Sequence, residues 1–458
     1  MLKIITSVLL LTIFFPRVEA APLINISNPN FRKLIVGVPV FQVESTDQQL
    51  KNWSNLGSDR LSYYLNFSGI FSTMDATAYQ DIMPGVAKAI AQGNLSSAAA
   101  QLSSLKLLGM DCVVFGVLKK SGEEVTLEIQ TYDFAQSRML LGKKFQGKDE
   151  AWFIQSLKVY GNHILKEYTG LEGIFTSKIA FTGKKSKGSV KQLYISDFDG
   201  SNVQKLTDSK LPVLSPAWSP DGRYVLFTAY TRGNPDIYQY DTRTGKIQAL
   251  ATEKGMNSGG SFSPDGKLMV YTASAAGDTD LFIRPVPKGS RSLFISGGGL
   301  DVEPKFSPDG NWIAYVSGRF GNPHIFRASI TWPTPSTPKV VSDMRLTYAG
   351  WYNAAPAWSP DSTKLAFAGY DKEIDRFDLF LMNHDGSNLE RLTLKSGDNE
   401  NPSWAPNGQL IAFSSNRVGN QNIKKVHQLY MMRRDGSQQK LLETGLYEVS
   451  SPIWGPNL

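Results

Sequence analysis

One short pattern constrains this chain more than any other feature: an aromatic residue followed by a tight-turn tetrapeptide, repeated six times. It reads Trp218-Ser-Pro-Asp-Gly, Phe262-Ser-Pro-Asp-Gly, Phe306-Ser-Pro-Asp-Gly, Trp358-Ser-Pro-Asp-Ser, Trp404-Ala-Pro-Asn-Gly and Trp454-Gly-Pro-Asn, at intervals of 44, 44, 52, 46 and 50 residues. That period suits one four-stranded β-propeller blade. In each turn Pro fixes φ at the second position, Asp suits the third, and Gly leaves the turn without steric conflict. Six anchors predict six blades.

The spacing after each turn predicts a second strand: Tyr224 to Ala229, Leu268 to Ala273, Trp312 to Ser317, Lys364 to Gly369 and Leu410 to Ser415. Third strands are expected at Ile237 to Tyr240, Leu281 to Arg284, Ile325 to Ala328, Leu379 to Asn383 and Leu429 to Arg433, and fourth strands at positions such as Ile247 to Ala251 and Leu389 to Thr393. Small or constrained residues before each anchor (Ser215-Pro-Ala, Gly259-Gly-Ser, Ala355-Pro-Ala, Asn401-Pro-Ser) fit innermost strands crowding an axis, with the aromatic wedged between blades. Thr331 to Pro338 lengthens one blade and explains most of the 52-residue interval. The sequence ends just after Trp454, so the sixth innermost strand lacks successors. Ile179 to Thr182, Gln192 to Ser196 and Gln204 to Thr207 supply three strands to complete that blade and remove an open edge.

Upstream the pattern changes. Leu34 to Phe41 reads as a buried strand, Asp47 to Phe67 and Gly85 to Leu108 as helical, Asp111 to Leu118, Glu124 to Asp133 and Met139 to Phe145 as strands, and Asp149 to Tyr168 as a closing helix. The expected organisation is a signal peptide over 1–20, a small α/β domain over 21–172 whose first residues are mobile, and an all-β six-bladed propeller over 173–458. Lys3, the apolar run Ile4 to Phe15 and the small residues at Val18-Glu19-Ala20 form the export signal, with cleavage after Ala20. A dozen apolar residues are too few to span a bilayer of roughly 30 Å as a helix. Cys112, the only cysteine, excludes an intramolecular disulfide and is expected on a buried strand with Val113 and Val114. The net charge of +7 is scattered, with short clusters only at Lys184-Lys185, Lys424-Lys425 and Arg433-Arg434, and reads as a solvated surface rather than a nucleic-acid footprint.

Several stretches resemble the TolB family of periplasmic propeller proteins of the Tol–Pal envelope system. They are Ile35 to Phe41, Gly109 to Gly116, the junction Leu165 to Phe181, the Leu193 to Gly200 hairpin, Ser215 to Gly222 and the terminal Trp454 to Leu458. The aromatic-Ser-Pro-Asp-Gly repeat is shared by many propellers, whereas the junction and the two-domain order are more specific. The resemblance implies a monomeric periplasmic scaffold that is not an enzyme. It would bind the peptidoglycan-associated lipoprotein Pal on one propeller face and an inner-membrane TolA-type protein through its N-terminal tail, here Ala21, Pro22, Leu23, Ile24 and Asn25. The receiving face is expected in loops entering the innermost strands: Met256, Asn257, Ser258 and Gly259; Asp301, Val302 and Glu303; Tyr352, Asn353 and Ala354; Asp398, Asn399 and Glu400; and Glu448, Val449 and Ser450. The process served would be outer-membrane integrity and constriction at cell division.

Catalytic signatures are lacking. There is no G-x-S-x-G nucleophile elbow, since Ser263 stands where the last Gly of Gly259-Gly-Ser-Phe-Ser would be. His163, His324, His384 and His427 have no metal-ligand spacing and are expected at the surface or in loops. Asp197-Phe-Asp-Gly-Ser and Asp385-Gly-Ser fall short of a calcium loop and fit hairpin turns better. No cofactor is expected, the one alternative being calcium in the axial channel near Asp301, Glu303, Asp398 and Glu400. The competing functional class is a propeller that binds or cleaves a glycan or peptide through its channel, which would require convergent carboxylates at the mouth.

Overall fold

The computed structural model describes residues 32–83, 85–86, 102–231, 233–275, 278–334, 336–417 and 426–458. The signal peptide, the tail Ala21 to Asn25, the Lys424-Lys425 pair and most of the Gly85 to Leu108 helix lie outside these residues. Of that helix, 102–107 are described and helical. The chain divides into two units. One runs to Glu150 and includes His163–Leu171; the other comprises Ala151–Asn162 and Glu172–Leu458.

The first unit is a mixed sheet of β1 (Leu34–Gly37), β2 (Gln42–Val43), β3 (Phe71–Thr73), β4 (Cys112–Ser121), β5 (Glu124–Asp133) and β6 (Arg138–Gly147), in the order β3-β1-β4-β5-β6 with β2 also on β4. β1 stops at Gly37 rather than Phe41, because Pro39 has no N–H to offer a ladder, and pairing resumes only at β2. Helix α1 (Gln48–Phe67) begins where the Asp47 carboxylate accepts the N–H groups of Gln49 and Leu50. Its buried face, Leu50, Trp53, Ser54, Gly57, Leu61 and Leu65, follows the helical period. Cys112 is fully buried on β4, and burial pushes its thiol up to about 12. Helix α2 (Glu150–Thr169) closes the region, and its residues Ala151–Asn162 belong to the second unit.

The second unit holds six four-stranded sheets. Three second strands have the bounds the spacing predicts: Tyr224–Ala229, Trp312–Ser317 and Leu410–Ser415. Blade six joins the innermost strand Glu448–Asn457 to Ser177–Lys184, Gln192–Asp197 and Gln204–Lys205, which closes the ring. The insertion in blade three is a long hairpin of His324–Thr334 and Thr337–Arg345.

The core lies between blades. Trp358 packs with Ala314 and Val316 of blade three and with Leu365 and Phe367 of its own blade; Trp404 does the same between blades four and five. Burying a side chain of that size is worth roughly 3 kcal/mol. The indole N–H groups also bond to neighbouring inner strands, Trp218 to the Ile453 carbonyl (3.1 Å), Trp358 to that of Lys305 (3.0 Å) and Trp404 to that of Ala357 (3.1 Å).

Some outer strands are shorter than expected: Glu390–Arg391 instead of Leu389 to Thr393, and Gln204–Lys205 instead of Gln204 to Thr207. The cause is a buried threonine. Thr393 Oγ1 accepts the Leu379 N–H (2.9 Å) and Thr207 Oγ1 that of Leu193 (3.0 Å), replacing the strand carbonyl that would otherwise continue the ladder.

Candidate functional site: the mouth of the axial channel

Every innermost strand breaks at the same place, three residues before its aromatic anchor. Ser215, Gly259, Glu303, Ala355, Asn401 and Ser451 all adopt left-handed backbone, with φ between 50° and 55°. Each coincides with a shift in strand register. Five of the six are non-glycine residues in a conformation costing about 1–2 kcal/mol apiece. Such bulges bend and over-twist a strand, here where six strands converge on one axis. In five blades a proline follows (Pro216, Pro304, Pro356, Pro402, Pro452), a position where a missing N–H costs nothing once pairing has lapsed.

The residues expected to bind a partner fall at these bulges or just ahead of them. They are not loops, as the sequence led one to expect. Asn257–Gly259, Asp301–Glu303, Tyr352–Ala354, Asn399–Glu400 and Glu448–Ser450 lie on the innermost strands themselves, and only Met256 and Asp398 precede a strand. Nor are all of them accessible. Asn257, Asp301, Asn353, Asn399 and Val449 are buried, as is Ala354. The Asn257 amide donates to the Glu253 carbonyl (2.7 Å), that of Asn353 to Ala349 (2.9 Å) and that of Asn399 to Gly397 (3.0 Å). These asparagines hold the incoming connection. Met256, Ser258, Gly259, Val302, Glu303, Tyr352, Asp398, Glu400, Glu448 and Ser450 are half-buried and form the accessible rim.

The acidic residues near the axis have separate tasks. Asp301 accepts the Gly297 N–H (2.7 Å) and lies 3.5 Å from Arg319; burial raises its carboxyl nonetheless. Glu303 accepts the Ala355 N–H (2.7 Å) of the next blade. Asp398 accepts from the Phe377 N–H (3.1 Å) and the Asn416 amide (2.6 Å). Glu400 is raised by burial and by the nearby Asp398 and Glu303, against the pull of His427 at 3.9 Å and of Lys191. Among the described residues no group of three or more His, Cys, Asp or Glu is placed to hold a metal ion. Asp197 is committed elsewhere, to Lys158 (2.7 Å), Lys178 (2.8 Å) and Asn202 (2.7 Å), and Asp385 closes a hairpin turn with Ser387. His324 departs from expectation. It is buried on a strand, its Nδ1 accepting from the Asn353 amide (3.0 Å), and burial lowers its pKa.

Sequence reasoning missed three aromatics on the connections at this same end of the channel. Phe320, Tyr348 and Trp351 are 69%, 75% and 52% exposed. Lys372 lies 4.6 Å from the Trp351 ring centroid and Arg345 4.9 Å from that of Tyr348, and Tyr348 and Trp351 border a cleft of about 690 Å³. The available signal was large apolar residues in the short connector Thr347-Tyr-Ala-Gly-Trp351, where no strand period requires them.

The model of the TolB beta propeller domain matches residues 165–458. The Tol-Pal system protein TolB of Hydrogenovibrio crunogenus is 38% identical over 382 residues, covering 82% of this chain and 84% of the relative. The chain belongs to the TolB family. The Desulfosudis oleivorans TolB is 31% identical over 220 residues, and the chain spans about half (47%) of that relative's length. A crystal structure of TolB from Acinetobacter baumannii shares the fold, with a TM-score of 0.74 at 24% identity, covering 93% of this chain and 97% of that one. Both sequence relatives carry the name Tol-Pal system protein TolB. No helix among the described residues is long and apolar enough to cross a membrane.

Proposed function

We propose that the chain is a periplasmic protein-binding scaffold. It receives a peptidoglycan-associated lipoprotein at the channel mouth and an inner-membrane Tol protein through its N-terminal tail, supporting outer-membrane integrity and constriction at division. The observation that carries this reading is the chemistry of the mouth face: a rigid polar rim beside exposed Phe320, Tyr348 and Trp351. Rigid aromatics flanked by cations are the residue types that dominate interface energetics, and a preformed rim loses little entropy on binding. Asp398, Glu400, Tyr352 and Ser450 then give orientation, while the buried Asn257, Asn353 and Asn399 act through the backbone they hold.

Co-purification from detergent-solubilised envelope tests the reading. Full-length mature protein should retain a peptidoglycan-bound lipoprotein, and Trp351→Ala with Tyr348→Ala should weaken it by about tenfold or more. Removal of Ala21 to Asn25 should leave lipoprotein binding intact while abolishing capture of the inner-membrane protein. Retention of glycan in place of lipoprotein would reject the scaffold reading.

A further inference from the structure

Inward of the bulges, a cavity of about 500 Å³ occupies the propeller axis and reaches the prolines of the aromatic-Pro turns. Its walls are stiff and largely apolar, built from anchors such as Trp358, Trp404 and Trp454 and turn prolines such as Pro308 and Pro360. The indoles cannot serve a ligand with hydrogen bonds: Trp358 and Trp404 donate to strand carbonyls and Trp454 to Ser177 Oγ (2.8 Å).

The position immediately before each anchor also faces this space, and five of the six residues there are neutral: Ala217, Ser261, Ala357, Ser403 and Ile453. The sixth is Lys305. Among the described residues, it and Glu303 are the only charged ones that line the cavity, and Glu303 accepts the Ala355 N–H. Among the described residues the Lys305 ammonium has neither a hydrogen-bond acceptor nor a carboxylate within ion-pair distance. Three strong donors on a half-buried side chain thus face a largely apolar space with no acceptor among the described residues. Burial pushes the Lys305 pKa down, with Glu303 acting in the opposite sense, as expected of a cation short of a partner.

We propose that this cavity is a binding site for a monoanionic carboxylate carried on an apolar body, with Lys305 as the counter-charge. The Lys305 ammonium can pair with one carboxylate, because Glu303 is turned to the Ala355 N–H and lies beyond ion-pair distance; a dianion such as phosphate would place a further unpaired charge beside Glu303. The volume lies within the range of small-molecule sites. The carboxylate can belong to a free organic acid or to the C-terminus of a short apolar peptide. The cavity shares Gly259 and Glu303 with the rim of the mouth, but its ligand is distinct from the partners proposed there.

The test is isothermal titration of the full-length mature protein with 4-phenylbutyrate and with acetyl-Leu-Phe, each against its amide. Saturable binding of an acid, with its amide weaker by about tenfold (about 1.4 kcal/mol), supports the site. The acid that binds more tightly identifies the source. Lys305→Met should lose the preference for acid over amide while melting at or above the wild-type temperature, and Lys305→Arg should keep it. Equal binding of acid and amide, undiminished binding by Lys305→Met, or no saturable binding of either acid overturns the proposal.

Discussion

In blades one to five the four strands come from one stretch of chain, such as Val213–Ala251, whereas blade six combines Glu448–Asn457 with strands between Ser177 and Lys205. The continuous blades assemble from hairpins closed by their own turns. Blade six has no turn between its first two strands and carries the entropy of closing a loop of some 270 residues. Side chains answer that cost. Glu448 takes both Lys184 (2.7 Å) and Lys191 (3.0 Å), Trp454 Nε1 donates to Ser177, and the Asn457 amide donates to the Gly173 carbonyl (2.7 Å). Where local turns are lacking, long-range polar contacts accumulate instead.

The most damaging way to break this comparison is to delete 453–458. The deletion removes Trp454 and leaves Ser177 to Ala180 without partners on the inner edge, so urea unfolding should show a loss of about 5 kcal/mol or more. A truncated chain with the wild-type midpoint would mean that closure contributes nothing. Next comes Asp197→Ala, which leaves Lys158 buried without its counter-charge and should cost about 3–5 kcal/mol. The apolar pair Asp197→Leu with Lys158→Met should recover most of that in the same measurement.

Within the continuous blades the effects should be smaller. Trp358→Phe keeps the wedge and loses the bond to the Lys305 carbonyl, so about 1 kcal/mol is expected; Phe262 and Phe306 already lack that donor. Ser263→Ala should cost a similar amount, because the hydroxyl donates to Asp265 (2.6 Å) and accepts the Leu268 N–H (3.0 Å). Ala405→Ser, which restores that arrangement in blade five, should gain a few tenths of a kcal/mol.

The smallest effect per residue is electrostatic. Burial alone would raise the turn carboxyls of Asp221, Asp265, Asp309 and Asp361, yet the serine hydroxyl and a backbone N–H in each turn outweigh it and hold them below their ordinary value. A folded pKa below the unfolded one gives stability that is complete above about pH 4 and is lost as pH falls through the folded values. The urea midpoint should therefore drop in acid, and Asp→Asn at all four turns should flatten part of that drop.

The repeat made the second strands and the closure of blade six legible, because hydrophobic alternation and Pro-Asp-Gly turns act within a few residues of themselves. β3 and β2 in the first unit were not legible: each is two or three residues long and exists only because β1 and β4 offer a parallel edge. Likewise nothing near Asn257, Asn353 or Asn399 distinguishes a buried amide from an exposed loop residue. Their burial follows from the neighbouring carbonyls that accept from them.

What the amino-acid order settled by itself was the number of blades, the place of each anchor and the family, since these rest on local turn geometry and a fixed period. Tertiary packing decided the rest: six left-handed bulges at one level of the axis, a lone ammonium in an apolar cavity, and aromatics left on the mouth face. Those properties depend on which groups from distant blades meet or fail to meet, and a linear pattern carries no record of a missing partner.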